Sequence, residues 1–149
     1  MQPARFRILV LNGPNLNLLG SREPAVYGEE TLETISDRLR AMAPELGCEV
    51  EFFQANGEGE ILDALHRAPG TCDGVVLNPG AFGHYSYALR DAVSGVGLPV
   101  YEVHLSNVFD REPFRSKLVV APVATGVIVG AGSLGYELAI RGLLAHLRR

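Results

Sequence analysis

The stretch Gly130-Ala-Gly-Ser-Leu-Gly135 spells G-x-G-x-x-G between an apolar run, Thr125-Gly-Val-Ile-Val129, and a helix-like one that begins Tyr136-Glu-Leu-Ala-Ile140. Its reading decides the fold. A dinucleotide-binding fingerprint opens the first strand–helix unit of a sheet and needs an acid about 20 residues further on to hold the ribose. Here the six residues follow the last apolar run, no further strand comes before Arg149, and no acid lies beyond Glu137. The glycines therefore read as a sharp turn off a strand and a close seat for the final helix, not as a phosphate cradle.

Working back along the chain, short apolar runs at Ile8–Leu11, Val50–Phe53, Val75–Leu77, Val100–Val103 and Val127–Val129 read as strands. Leu32, Ile35, Leu39, Met42 and Leu46 recur at helical spacing, and Gly47 stops that helix. Glu60–Arg67, Ser86–Ser94 and Leu134–Leu147 read as further helices. Alternating strands and helices imply a parallel sheet covered on both faces. Five strands in 149 residues suit a flavodoxin-like, doubly wound α/β fold of order 2-1-3-4-5 better than the longer dinucleotide-binding arrangement. With no repeat, linker or low-complexity tract, residues 1–149 read as one domain.

Composition narrows the function. The chain is 47% hydrophobic and 20% charged with a formal charge of −4 and no long basic run, which argues against nucleic-acid or membrane-surface partners. An anionic substrate would need a local group of arginines. Cys48 and Cys72 form no C-x-x-C pair and read as core thiols of a reducing compartment. The first apolar run is too short for a secretory or membrane-spanning segment, so a cytoplasmic protein is expected. The four histidines show no metal-ligand spacing, and no metal is expected.

Ligands of such sheets bind beyond the carboxyl ends of the strands, beside the switch point between strands one and three. Those ends are polar here: Asn12-Gly-Pro-Asn15, Asn78-Pro-Gly-Ala-Phe-Gly-His84, and Glu102-Val-His-Leu-Ser-Asn107. Glu102 and His104 share a strand face, which suits either a hydrogen-bonded core pair or a carboxylate that sets an imidazole tautomer. The long loop after strand one carries Arg22 and Tyr27 and has the length of a lid. Arg111 and Arg115, beyond strand four, suit a carboxylate or vicinal hydroxyls, or else a salt-bridged surface turn.

Four segments in order, Asn12–Gly28, Asn78–Asp91, Glu102–Arg115 and Pro122–Gly130, resemble the signatures of the type II 3-dehydroquinate dehydratases across essentially the whole chain. The resemblance implies a single catalytic domain, a hydro-lyase that converts 3-dehydroquinate to 3-dehydroshikimate by anti elimination through an enolate. It implies no Schiff base, no metal and no organic cofactor, and a homododecamer built of trimers. The step would serve the shikimate route to chorismate and aromatic amino acids, or quinate breakdown. Carried over by position, Tyr27 is the base, Arg22 stabilises its phenolate, His104 protonates the departing hydroxyl, Glu102 orients His104, and Asn15 assists at the enolate oxygen. Asn78, Ser106 and the Leu105 backbone would hold the substrate carboxylate, and His84 and Arg115 the ring hydroxyls. Asp91 would reach a neighbouring subunit's site.

The chemistry is self-consistent. A phenol titrates near 10, and a cation about 4 Å away at an effective dielectric near 20 is worth roughly 4 kcal/mol, or some three pK units. Tyr27 therefore needs Arg22 to act near neutrality. Lys117 is the only lysine and lies in a polar turn, with no apolar pocket expected to activate it for a Schiff base. Gly57, Tyr85 and Phe109-Asp110 depart from the family's usual His, Thr and His-Ala, none at a position with an assigned role. A flavodoxin-like module holding FMN is the competing reading, opposed by a lone Ser21 where a run of hydroxyls would cradle phosphate.

Overall fold

A computed structural model describes residues 5–21, 25 and 29–149. Arg22 and Tyr27, the expected activator and base, lie outside the described residues. Strands β1 (Phe6–Asn12), β2 (Cys48–Gln54), β3 (Gly74–Asn78), β4 (Val100–His104) and β5 (Gly126–Val129) form one parallel sheet of order β2-β1-β3-β4-β5. Helices α1 (Leu32–Leu46), α2 (Glu58–Arg67), α3 (Tyr87–Gly95) and α4 (Leu134–Leu147) cover it. This is the flavodoxin-like arrangement expected from the sequence.

Strand alternation sorts the core into two layers. Ile8, Val10, Val76 and Val103 pack with Ile35 and Leu39 of α1 and with Ala139, Ile140 and Leu143 of α4. Leu11, Val75, Leu77 and Val100 face the other way, against Ile61 and Leu65 of α2 and Leu89 and Val93 of α3. Cys48 and Cys72 are free, buried members of these layers, and burial pushes both thiols up. No helix among the described residues is long and apolar enough to cross a membrane.

Side-chain caps place the helix starts. Thr31 and Thr34 exchange hydrogen bonds in a capping box at the head of α1, and Gly47 at φ 80° ends that helix. Ser86, taken from sequence as the first residue of a helix, is instead the cap of α3, its Oγ accepting from the Leu89 N–H at 3.0 Å. α2 starts at Glu58, a little earlier than its apolar periodicity shows, because Glu58 and Gly59 add a polar first turn. The loop after β1 is less bare than expected: Leu16–Leu18 form a 3-10 turn, and Leu16 and Leu19 are buried.

The glycine stretch has the structural role read from it. The Gly130 N–H donates to the His104 carbonyl at 3.1 Å and the Gly132 N–H to the Leu105 carbonyl at 2.9 Å. Gly130 and Gly132 have φ of 84° and 62°, a region that favours glycine. A Cβ on Gly135 would lie 3.3 Å from Val103 and 3.5 Å from Ile128, so the bare position seats α4 closely on the sheet. Two donors that a phosphate would need thus brace the exit of β4.

At the switch point the exits of β1 and β3 are fused: Asn12 pairs with Asn78, and the Gly13 N–H donates to the Asn78 carbonyl at 2.8 Å. A Cβ on Gly13 would sit 2.6 Å from the Pro79 carbonyl oxygen, a backbone atom. Gly13→Ala must push the two exits apart, and overpacking of this kind costs about 1–3 kcal/mol. The expected thermal-melting result is a fall in Tm of roughly 2–4 °C per kcal/mol lost; an unchanged Tm would show that the exits are not held this closely.

Candidate active site

The three strand exits converge on one cleft, lined by Asn15 after β1, by Asn78 and His84 at and after the end of β3, and by His104, Leu105, Ser106, Arg111 and Arg115 at and after the end of β4. All eight were singled out from sequence, and a ninth, Glu102, lies behind His104. Asp91 is not among them. It lies in a groove between α2 and α3 that also includes His66.

Glu102 is fully buried, and its Oε2 is 2.6 Å from the His104 Nε2. A carboxylate accepts, so Nε2 carries a proton, and Nδ1 remains for the cleft that His104 lines. The other oxygen, Oε1, is buried with no hydrogen-bond partner among the described residues. Of the two readings open from sequence, the tautomer-setting carboxylate fits a pair at the cleft wall. Gly83 makes room for the ring: a Cβ there would lie 2.7 Å from Pro79 Cγ and 3.3 Å from His104 Cε1.

His84 stands beside it, the two imidazole centroids 5.6 Å apart. Its Nδ1–H donates to the Lys117 carbonyl at 2.9 Å, so in the neutral ring Nε2 is an acceptor. Burial holds this imidazole below its ordinary range. The two rings thus have different partners, a carboxylate for His104 and a carbonyl for His84, and it is burial that favours the neutral form of His84.

Asn15 is the only non-glycine residue at positive φ among the described residues, at 69°. Asparagine is among the residues that tolerate this region best. Its N–H donates to Asn56 Oδ1 at 3.0 Å, and Gln54 Nε2 donates to that same oxygen and to the Gly13 carbonyl, each at 3.1 Å. The end of β2 thereby fixes the turn after β1.

Two cations border the cleft. Arg111 donates to Ser106 Oγ at 3.3 Å. Arg115 Nε donates to Glu112 Oε1 at 3.0 Å, which holds the Glu112 carboxyl below the usual range, and its guanidinium lies 4.8 Å from the Phe114 ring centre. The surface-turn reading of this segment is half right, since Arg115 is salt-bridged and yet lines the cleft. Lys117 is exposed and meets the site through its carbonyl.

Sequence reasoning missed the floor. Tyr136 is fully buried and bonds both Asn12 Oδ1, at 2.5 Å, and Asn78 Nδ2, at 3.0 Å. The signal was a tyrosine on the apolar face of the last helix, since a buried phenol nearly always has a polar partner. No group of three or more His, Cys, Asp or Glu side chains placed to hold a metal occurs among the described residues.

The Dehydroquinase class II family model matches residues 6–144. A 3-dehydroquinate dehydratase of Pelotomaculum thermopropionicum is 60% identical over 140 residues, 94% of this chain and 97% of its own. One from Bacillus subtilis is 57% identical over 138 residues, 93% of either chain. The crystal structure of a type II dehydroquinase from Butyrivibrio crossotus superposes with a TM-score of 0.91 at 47% identity, over 93% of this chain and 97% of that one. In sequence and in fold, the chain belongs to the class II dehydroquinase family.

Proposed function

We propose that this chain dehydrates 3-dehydroquinate to 3-dehydroshikimate in the cleft at the switch point, as a single catalytic domain of residues 1–149. The observation that carries the reading is the buried Glu102–His104 pair, 2.6 Å apart, opening on a cleft bordered by Arg111 and Arg115. A hydroxy-acid substrate brings one carboxylate and several hydroxyls, and the cleft offers amide, hydroxyl, guanidinium and imidazole groups to meet them.

In this reading Tyr27, as phenolate beside Arg22, takes the proton next to the ketone and leaves an enolate. Asn15 assists at the enolate oxygen. The C–O bond to the leaving hydroxyl then breaks as His104, entering the step with protons on both ring nitrogens, gives its Nδ1 proton to the departing oxygen, and water departs. Glu102, holding Nε2–H, keeps the ring in the right orientation while its charge changes. Asn78, Ser106 and the Leu105 backbone bind the carboxylate, and neutral His84 and Arg115 bind ring hydroxyls. The exposed Lys117 favours the enolate route over an imine. The proposed setting is cytoplasmic, in shikimate biosynthesis.

The proposed assembly is a homo-oligomer, a dodecamer built of trimers. Asp91 lies outside its own cleft, and Tyr85, Tyr87, Phe109 and Phe114 leave large apolar surface exposed.

Three measurements test this. Purified protein with 3-dehydroquinate is expected to generate a conjugated enone absorbance, which Tyr27→Phe abolishes with the fold intact; His104→Ala should lower kcat by about 10²–10⁴. Borohydride added with substrate should leave activity intact, and inactivation would mean an imine intermediate. For pH, His84 is lowered when folded, so the stability it protects is present above its unfolded pKa and is lost as pH falls from there toward the folded value. Between pH 7.5 and 5.5, urea melts should show a larger stability loss for wild type than for His84→Asn; equal losses would contradict a buried, neutral His84.

A further inference from the structure

Beneath the Asn78 side chain that lines the cleft lies the buried hydroxyl of Tyr136. Tyr136 lies in the first turn of α4, far in sequence from the strand exits beneath which its hydroxyl sits. That hydroxyl donates to Asn12 Oδ1 at 2.5 Å and accepts from Asn78 Nδ2 at 3.0 Å. From the other side, the Gly80 N–H donates to Asn78 Oδ1 at 3.2 Å. The Asn78 amide is thereby oriented at both ends. Flipping it would set its NH2 group against the Gly80 N–H, donor against donor, and would remove the donor that faces the phenol oxygen.

We propose that Tyr136 is a positioning residue for substrate binding: its hydroxyl locks the Asn78 amide so that the second Nδ2 hydrogen is presented to the cleft. The floor then offers an anion a donor and never a carbonyl oxygen. The inference rests on the reading of Asn78 as a ligand of the substrate carboxylate, and it extends that reading to a residue which touches no substrate. Burial raises the phenol well above its ordinary range, so it remains a neutral hydroxyl able to donate and accept at once.

Tyr136→Phe keeps the buried ring and removes the lock. The expected result is a KM for 3-dehydroquinate raised about tenfold with kcat within about twofold of wild type, the pattern of lost ground-state binding. In an Asn78→Ala background the same change should raise KM no further, because there is no amide left to orient. An unchanged KM, or the same rise without Asn78, would overturn the proposal. A readout without substrate separates it from the dehydratase reading: in ¹⁵N-labelled wild type the Asn78 amide proton bonded to the Tyr136 hydroxyl should be protected from solvent exchange, and in Tyr136→Phe it should exchange freely. A wild type inactive on 3-dehydroquinate would overturn the dehydratase reading; an unprotected proton at that position in wild type would overturn the lock. Should Tyr136→Phe fail to fold, Asn12→Ala removes the phenol's acceptor and keeps the phenol. It should raise KM and loosen that Asn78 proton, and no change in either would sink the idea.

Discussion

A carboxylate buried entirely inside the protein, Glu102, is the constraint on which the site depends. Withdrawing such a group from water costs several kcal/mol, and only a close, well-made partner offsets it. Among the described residues that partner is one imidazole, at 2.6 Å. Much of the surrounding backbone serves that contact. Gly83 leaves the space that the His104 ring occupies, and Gly130 and Gly132 tie down the carbonyls of His104 and Leu105. The last loop of the chain thus stabilises the geometry of the fourth strand.

Charge at the cleft is local. The chain is net acidic at −4, so its overall field does not attract an anion. Among the described residues the cleft's cations are Arg111 and Arg115, and in the proposed reading they supply the attraction while neutral side chains, which cost less to bury, supply further donors. His84 fits this division: desolvation outweighs the Lys117 carbonyl, which by itself favours the charged ring, and keeps this imidazole on the neutral side, 5.6 Å from the His104 ring.

The sheet was legible because each strand's apolar pattern is local: Ile8 and Val10 face one layer and Leu11 the other, as alternation requires. The context of Gly130–Gly135 was equally local, and it separated a brace from a phosphate loop. Glu102 and His104 could be paired from a spacing of two on one strand. Asn15, Asn78, His84 and Ser106 stood out as polar residues at strand exits and Arg115 as a cation beyond the fourth, family resemblance supplied their roles, and the cleft does gather them. What sequence spacing could not show were contacts made across the fold. Tyr136 meets Asn12 over 124 positions and Asn78 over 58. The Ser86 hydroxyl reaches Glu58 at 2.6 Å, joining the starts of α3 and α2, and no periodicity encodes that. The strands and the start of α2 were also short in the sequence reading, because a polar first turn and the outer rungs of parallel pairing carry no apolar signal.

The most direct measurement of the central claim is a crystal structure with a non-reactive cyclic hydroxy-acid analogue of the substrate. The expected result is the analogue's carboxylate on Asn78 and Ser106, its ring hydroxyl within hydrogen-bonding distance of His104 Nδ1, and Tyr27 and Arg22 against the ring. An analogue seated elsewhere, or a bound ring with His104 and Tyr27 both turned away from it, would contradict the account.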